Sequence, residues 1–579
     1  MAAVHPPGPD PGSGPGPGPG SGQTTFNLGV YHQQQYRAAF GAALAAGEVK
    51  PLVIPWSLVG SFFLPLLYLS IPHTNRPWLY RMRWPVAAAV VYLNVGLMQT
   101  TSATNEAVAY ATGLLAVWGT IWALRLLIFT RPQWEAARVE RRLRRKEQEK
   151  PVAAMVAPDE SVAAVLPAHE YVWRPFPATA PFLSRLGWTA DLLTSLRGAG
   201  WNFSIPAIPH PPLPSKHLDG EPVRLDLIPL VSRTGTARSQ TYASFFRSRL
   251  LHFTLSYLTI DFLTTTIRQD PYFVLGPAYT AHFHPLPTLY TTLPFPQLTI
   301  PLLRNVAALS GVIAGLHLYS SVLQLAIVFP LRGLLGAGAD LWQNPTLFGG
   351  FAASVLDRGL AGFWGGWWHQ TFRAGFVAPA RWLLPRPHHH KRLRAMMEVV
   401  LAFFLSGVLH AAGGYTSITS FSSGGRTWTR SPITFFLLQA VGVILQTTLS
   451  SLLPWQRRSF KTTTSKTTTT TTTTPTTTNP TPPPKQHKKG IPPPPPRWLR
   501  QTTNLLFVLV WLQLTGWGLI DDMSRSAVWL FEPVPVSPFR LLGLGVPGGD
   551  AWWRWDGEGY GVRWWGGGQQ RWWEAGVRL

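Results

Sequence analysis

The sequence predicts an all-α polytopic integral membrane protein of about eight transmembrane helices, with seven to ten as the range and re-entrant or interfacial segments between them. Three observations predict it. Of the 579 residues, 46% are hydrophobic and 13% charged. Eight segments approach the roughly 20 apolar residues needed to cross a hydrocarbon core. Lysine and arginine are dense in every second connecting loop. A formal net charge of +24 would suit a nucleic-acid binder if the cations shared one face. Spread over alternate loops, they read as an orientation signal, and no nucleic-acid partner is expected. The absence of cysteine excludes disulfides, thiolate nucleophiles, cysteine-ligated zinc and iron–sulfur clusters.

The elements follow in order. The Pro/Gly-rich stretch 1–25 cannot bury a core and lacks the pattern of a cleavable signal, so it is expected to be disordered. Apolar segments 52–71, 85–101 and 107–129 form an N-terminal membrane block, 52–129. A basic region, 130–249, comes next, and its charged 131–170 portion reads as a short helix leaving the third span. Segments 250–267, 303–329, 395–412 and 432–453 build a membrane core, 250–453, while 285–301 is apolar but broken by prolines, hence re-entrant or interfacial. Within 454–500 the threonine and proline run reads as a solvated, low-complexity spacer. The last span, 503–520, lies in block 501–545. The Trp/Gly-rich tail 546–579 suits the headgroup level, where indoles settle.

Loop 72–84 holds Arg76, Arg81 and Arg83, and loop 102–106 holds no cation. Segment 131–150 has eight Lys/Arg against four Glu, and 454–500 has nine Lys/Arg and no acid. This alternation puts loops 130–249, 330–394 and 454–500 in the cytosol and both termini on the other side.

Ionisable groups inside spans are costly, so they are functional candidates. His410 ends an apolar run and is flanked by Ser406, Gly407, Ala411, Ala412, Gly413 and Gly414, which leave room for a close approach. It reads equally well as a general base or as a helix-to-helix hydrogen-bonding group. His369 lies in GFWGGWWHQTFR, 362–373. If 360–381 is one helix, Trp364, Trp368 and Phe372 share a face and His369 meets Arg373 one turn on. Composition alone favours an interfacial helix held by aromatic anchors over the wall of a polar site. His317 and Asp261 offer an intramembrane pair or simple packing, Arg125 is placed to snorkel, and the HHHKRLR run at 388–394 reads as a juxtamembrane anchor. No metal site, phosphate loop or nucleophile elbow is present.

Five stretches together resemble a known family. NPTLFGG at 344–350 with FW and WWHQTFR up to 373, then SGVLH at 406–410, are similar to the wax synthase-like branch of the membrane-bound O-acyltransferases, above all its fungal members. DLLTSLRGAGW (191–201), DFLTTTIRQDPYF (261–273) and FEPVPVSPF (531–539) fit in the same order. The resemblance implies a multi-helix enzyme of the endoplasmic reticulum that moves an acyl group from acyl-CoA, a co-substrate and not a bound cofactor, to the hydroxyl of a lipophilic alcohol. It implies a short chain on a secondary metabolite ahead of wax or sterol ester synthesis; a transporter or non-catalytic scaffold is the competing class. By the same resemblance His410 is the catalytic histidine and His369 its partner, with Trp364, Trp368, Gln370, Arg373, Asn344 and Arg358 around the donor. Where relatives carry arginine, an acidic or basic residue, and a second arginine, this chain has Ala361, Gly362 and Gly366, which leaves Arg358, Arg373 and Arg381 for the CoA phosphates.

Overall fold

The computed structural model describes residues 27–143, 169–213, 219–279, 286–384, 391–421, 426–452, 495–545, 551–553, 563–565 and 575–579. The 1–25 stretch, the Thr/Pro run, most of the tail and the histidines of 388–390 lie outside them.

Apolar segments are helical because a backbone in hydrocarbon must satisfy its own polar groups. Helix α1 (Leu28–Ala45) is capped by Asn27, whose side chain accepts from Val30 N. Then come α2 (Arg83–Thr100), α3 (Glu106–Leu124), α4 (Phe182–Thr194), α5 (Tyr242–Ile267) and α6 (Pro296–Val328). The C-terminal half contains α7 (Asp357–Gly362), α8 (Arg373–Leu383), α9 (Lys391–Thr416), α10 (Ser431–Leu452), α11 (Arg497–Thr515) and α12 (Trp517–Arg525).

All eight expected segments fall largely on helices, the first only from Trp56 onward, but the count of eight spans is not reached. Among the described residues four helices are long and apolar enough to cross a membrane: Glu106–Phe129, Pro296–Val328, Arg392–Thr416 and Ser431–Ser451. A fifth is reached if α11 and α12, bent by 43°, make one broken span. The other three are modified by their own residues. Trp56–Ser70 is short, α2 includes Arg83 and Asn94, and α5 includes Arg247, Arg249, His252 and Asp261. The proline-broken stretch is also different from expectation over 296–301, which forms the first turns of α6. Pro296 fits there because a helix's first turn has no use for its missing N–H.

The 131–170 portion is corrected too. Among its described residues only Pro132–Glu135 is helical, and Ala137–Leu143 is a strand antiparallel to His169–Pro175. Cross-strand chemistry explains it: buried Val139 and Trp173 lie opposite each other, and Glu140 accepts from Arg174 at 2.7 Å. The described part of the tail likewise includes two strands, Arg563–Trp565 and Gly576–Arg578, which pair with each other, the second also pairing with Val53–Ile54.

Two packing features position the site. Helices α3 and α9 cross at small residues: a Cβ added at Gly113 would collide with the Ala412 carbonyl, and one at Gly413 would meet the Tyr110 ring at 2.6 Å. Thr416 locks the crossing by accepting from Gly113 N at 2.9 Å and donating to Ala109 O at 2.8 Å. Separately, Trp188 and Trp201, both almost fully buried, pack edge to face at 4.9 Å. They anchor the turn after α4 in the largest apolar cluster.

Candidate active site

The 352–372 segment is packed into the helical body and is not a peripheral loop. Val355, Leu360 and Phe363 are buried with Val443 of α10 and Val508 of α11. Two glutamines of α10, about two turns apart, clamp it. Gln446 accepts from Leu360 N at 2.7 Å and donates to Asn504 at 3.2 Å. Gln439 accepts from the Trp364 indole at 3.3 Å and donates to Thr515 at 2.9 Å.

The expected continuous helix over 360–381 is broken. After α7 a π-helical turn covers Phe363–Trp367, Trp368 adopts ψ 147°, and α8 starts only at Arg373. Glycine-rich sequence holds the helix weakly here, and Gln370 and Arg373 stabilise the break instead. Gln370 donates to the carbonyls of Trp364 and Trp368, both at 2.7 Å. Arg373 donates to Gly365 O and to the Gln370 side-chain oxygen, each at 3.0 Å. Arg373 thus ties down the loop and does not meet His369 across a helical turn. Trp364 and Trp368 are in contact at 5.6 Å, as a shared face requires, but Phe372 packs edge to face on His369 at 5.6 Å and tilted against Trp118 at 4.6 Å.

His369 sits inside the break, between Trp368 and Phe372. Burial above all, then the neighbouring His410 and Arg197, pushes its pKa down from the usual 6.5 to about 3, so the ring is neutral at physiological pH. His410 lies more than a turn before Thr416, the last residue of α9, and not at the helix end. Its Nδ1 is 2.8 Å from the Ser406 carbonyl. A carbonyl can only accept, so Nδ1 holds the proton and Nε2 is left as an acceptor. Phe436 packs on the ring at 4.8 Å and Tyr110 donates to the His410 carbonyl at 3.2 Å.

Both histidines line one cavity of about 2450 Å³, well above the ~300–1,000 Å³ of ordinary ligand pockets. The convergence that a straight cytosolic loop could not provide is made by the inward break at 368–372. One stretch of the cavity wall is polar, with Arg138, Glu140, Arg141, Asp191, Thr194 and Ser195; another is apolar, with Leu302, Leu303, Val306 and Leu309 of α6 and Leu519 of α12.

Of the other expected site residues, Trp364, Trp368, Gln370, Arg373 and Asn344 line this cavity, whereas Arg358 does not. The Asn344 amide donates inward to Gly338 O and Asp340 O, both at 3.0 Å. Arg358 donates to Ser354 at 3.3 Å, and a Cβ at Gly366 would collide with its guanidinium. The glycine that replaces a relative's cation is therefore filled from the preceding turn. His317 and Asp261 do not pair: His317 stacks between His252 at 5.0 Å and Phe348 at 4.6 Å, and Asp261 accepts from Phe539 N at 3.0 Å. Nor does Arg125 snorkel. It is buried over Trp122 and Phe203, at 4.6 Å from each ring.

Sequence reasoning missed Tyr110, Gln439 and the placement of Arg197. A possible signal for the last is its flanking pattern, since Gly198 and Gly200 both adopt positive φ.

Residues 342–438, which include both histidines, match the Membrane bound O-acyl transferase family. That segment is similar to the membrane-bound O-acyltransferases. With its long apolar helices, that segment makes this an integral membrane protein. The chain is also similar to two fungal proteins. The acetyltransferase spyB of Aspergillus fumigatus is 31% identical over 132 residues, 22% of this chain and 20% of that protein. The O-Mevalon transferase macI of Penicillium terrestre is 22% identical over 279 residues, 45% of this chain and 52% of that one. The chain thus spans at most about half the length of these relatives. No solved structure matches.

Proposed function

We propose that the protein is an acyl-CoA-dependent O-acyltransferase that moves an acetyl or other short acyl group to the hydroxyl of a lipophilic alcohol such as a terpenoid or other secondary metabolite, in the endoplasmic reticulum membrane. The observation that carries the reading is the pairing of His410, with Nε2 free to accept a proton, and neutral His369 in the wall of one mostly apolar cavity that has a polar stretch. The polar wall suits the donor's CoA portion and the apolar wall suits the alcohol. The printed name of one relative, an acetyltransferase, supports the short chain.

In this reading His410 Nε2 takes the hydroxyl proton as the alcohol oxygen attacks the thioester carbonyl carbon. The resulting oxyanion accepts a hydrogen bond from the neutral His369 ring. The intermediate collapses by breaking the C–S bond, and the departing thiolate regains the proton from His410. Ester and free CoA leave, and both histidines return to their starting state.

The test is turnover by purified protein in detergent, using labelled acyl-CoAs from acetyl to palmitoyl with a panel of lipophilic alcohols. CoA release that needs both substrates, and is fastest with the short chains, is expected. Absence of release in every pairing contradicts the reading and returns the protein to the scaffold or transporter class.

A further inference from the structure

Arg197 lines the cavity and has no assigned role. The turn that carries it is rigid: Gly198 and Gly200 take φ +66° and +75°, Val139 N donates to Gly200 O at 2.7 Å, and Trp201 is buried against Trp188. From this turn the guanidinium reaches across to Thr346 O at 2.8 Å and Pro345 O at 3.2 Å. Next to it is Arg249, 4% exposed, with Nη2 at 3.4 Å from Asn344 O and an Nε that has no hydrogen-bond partner. The two are close enough for the charge of Arg249 to be felt at Arg197, and that of Arg197 at His369.

Among the described residues neither guanidinium has a carboxylate partner. Arg540 is buried and pairs with Glu532 at 3.0 Å, and half-buried Arg304 pairs with Asp270 at 2.7 Å, whereas buried Arg125 lies over aromatic rings instead. Arg138 and Arg141 on the same cavity wall are neutralised by Asp191 and Asp340. A cation held away from bulk water without an acid is costly, and carbonyl dipoles offset only part of that cost. Arg197 retains N–H donors beyond the two that bind carbonyls, in the planar array that suits a bidentate oxyanion.

We propose that Arg197, backed by Arg249, is an oxyanion-binding subsite of the cavity that takes a phosphate or carboxylate carried by a substrate. Assigning that anion to a substrate of acyl transfer rests on the function proposed above, whereas anion binding itself does not.

Equilibrium binding to the purified full chain in detergent separates the sources, with inorganic pyrophosphate probing the phosphate, decanoate the carboxylate and decanol serving as the uncharged control. Arg197→Gln is expected to weaken one or both anions by about tenfold or more, Arg197→Lys by less, and neither should alter decanol binding. Loss in the pyrophosphate arm assigns the donor's phosphates, and loss in the decanoate arm assigns a carboxylate. No anion binding by the unaltered protein, or equal affinity in the Gln variant, overturns the subsite. If Arg197→Gln does not fold, protection of Arg197 from phenylglyoxal by the same anions, mapped by mass spectrometry, decides the matter, and absence of protection overturns it. Anion binding lost in the variant while no acyl transfer is found would leave the subsite and remove the enzyme reading; transfer with unaltered anion binding would do the reverse.

Discussion

The hydrogen bond from His410 Nδ1 to Ser406 O, 2.8 Å long, selects which ring nitrogen can accept a proton. His369 has the complementary property: it is held neutral by burial, His410 and Arg197. The sign of the resulting linkage is definite. The unfolded ring titrates near 6.5 and the folded one near 3, so between these values the unfolded chain binds the extra proton and stability falls as pH falls. Above 6.5 this contribution is complete. Melting of the detergent-solubilised protein from pH 7 down to pH 4 is expected to drop less steeply for His369→Gln than for the unaltered chain; identical slopes would refute a buried neutral His369. Both histidines stood out in the sequence as ionisable groups among aromatic or small apolar neighbours, but composition alone favoured an interfacial anchor for His369 and left His410 open, and the resemblance supplied their roles. Arg197 was not, because its meaning depends on carbonyls about 150 positions away and on the absence of an acid beside it.

Among the elements, the crossing of α3 and α9 fixes where His410 stands. Gly113 sits with its Cα against the Ala412 backbone, where no side chain can be received without separating the helices. Gly113→Leu should therefore destabilise the protein by at least the ~1–3 kcal/mol typical of overpacking, seen as a lower melting midpoint in detergent and a parallel loss of activity. An unchanged midpoint would show that this crossing does not position the site. The small residues of 406–414 pointed to a close approach, though not to its partner. The break at 368–372 was illegible for a different reason. Periodicity lets a helix run through 360–381, and only Gln370 and Arg373, bonding back to main-chain carbonyls, reveal the alternative. The strand at 137–143 was equally hidden, since its partner strand begins 26 residues after it ends and the charges between them read as helix.

For the molecule as a whole, scarcity of charge and long apolar runs gave the helical membrane class, and the stretches at 344–373 and 406–410 gave the segment that matches the O-acyltransferase family. The number of spans was less legible because apolar length says nothing of the charges a helix carries on its packed face, as α5 shows with Arg249 and Asp261 buried while Leu251, Leu255 and Phe262 are exposed. What unites the parts is that strand 137–143, the turn after α4, α6, the 363–373 break and α9 all face one cavity, so that the aromatic crowd around His369 is a wall of that space. The central claim is that His410 is the base of an acyl transfer performed there. Label transfer from acyl-CoA to alcohol, measured side by side for the unaltered protein and for His410→Ala of equal melting midpoint, tests it most directly. A fall of about 100-fold or more is predicted, and transfer by the variant at the unaltered rate would contradict it.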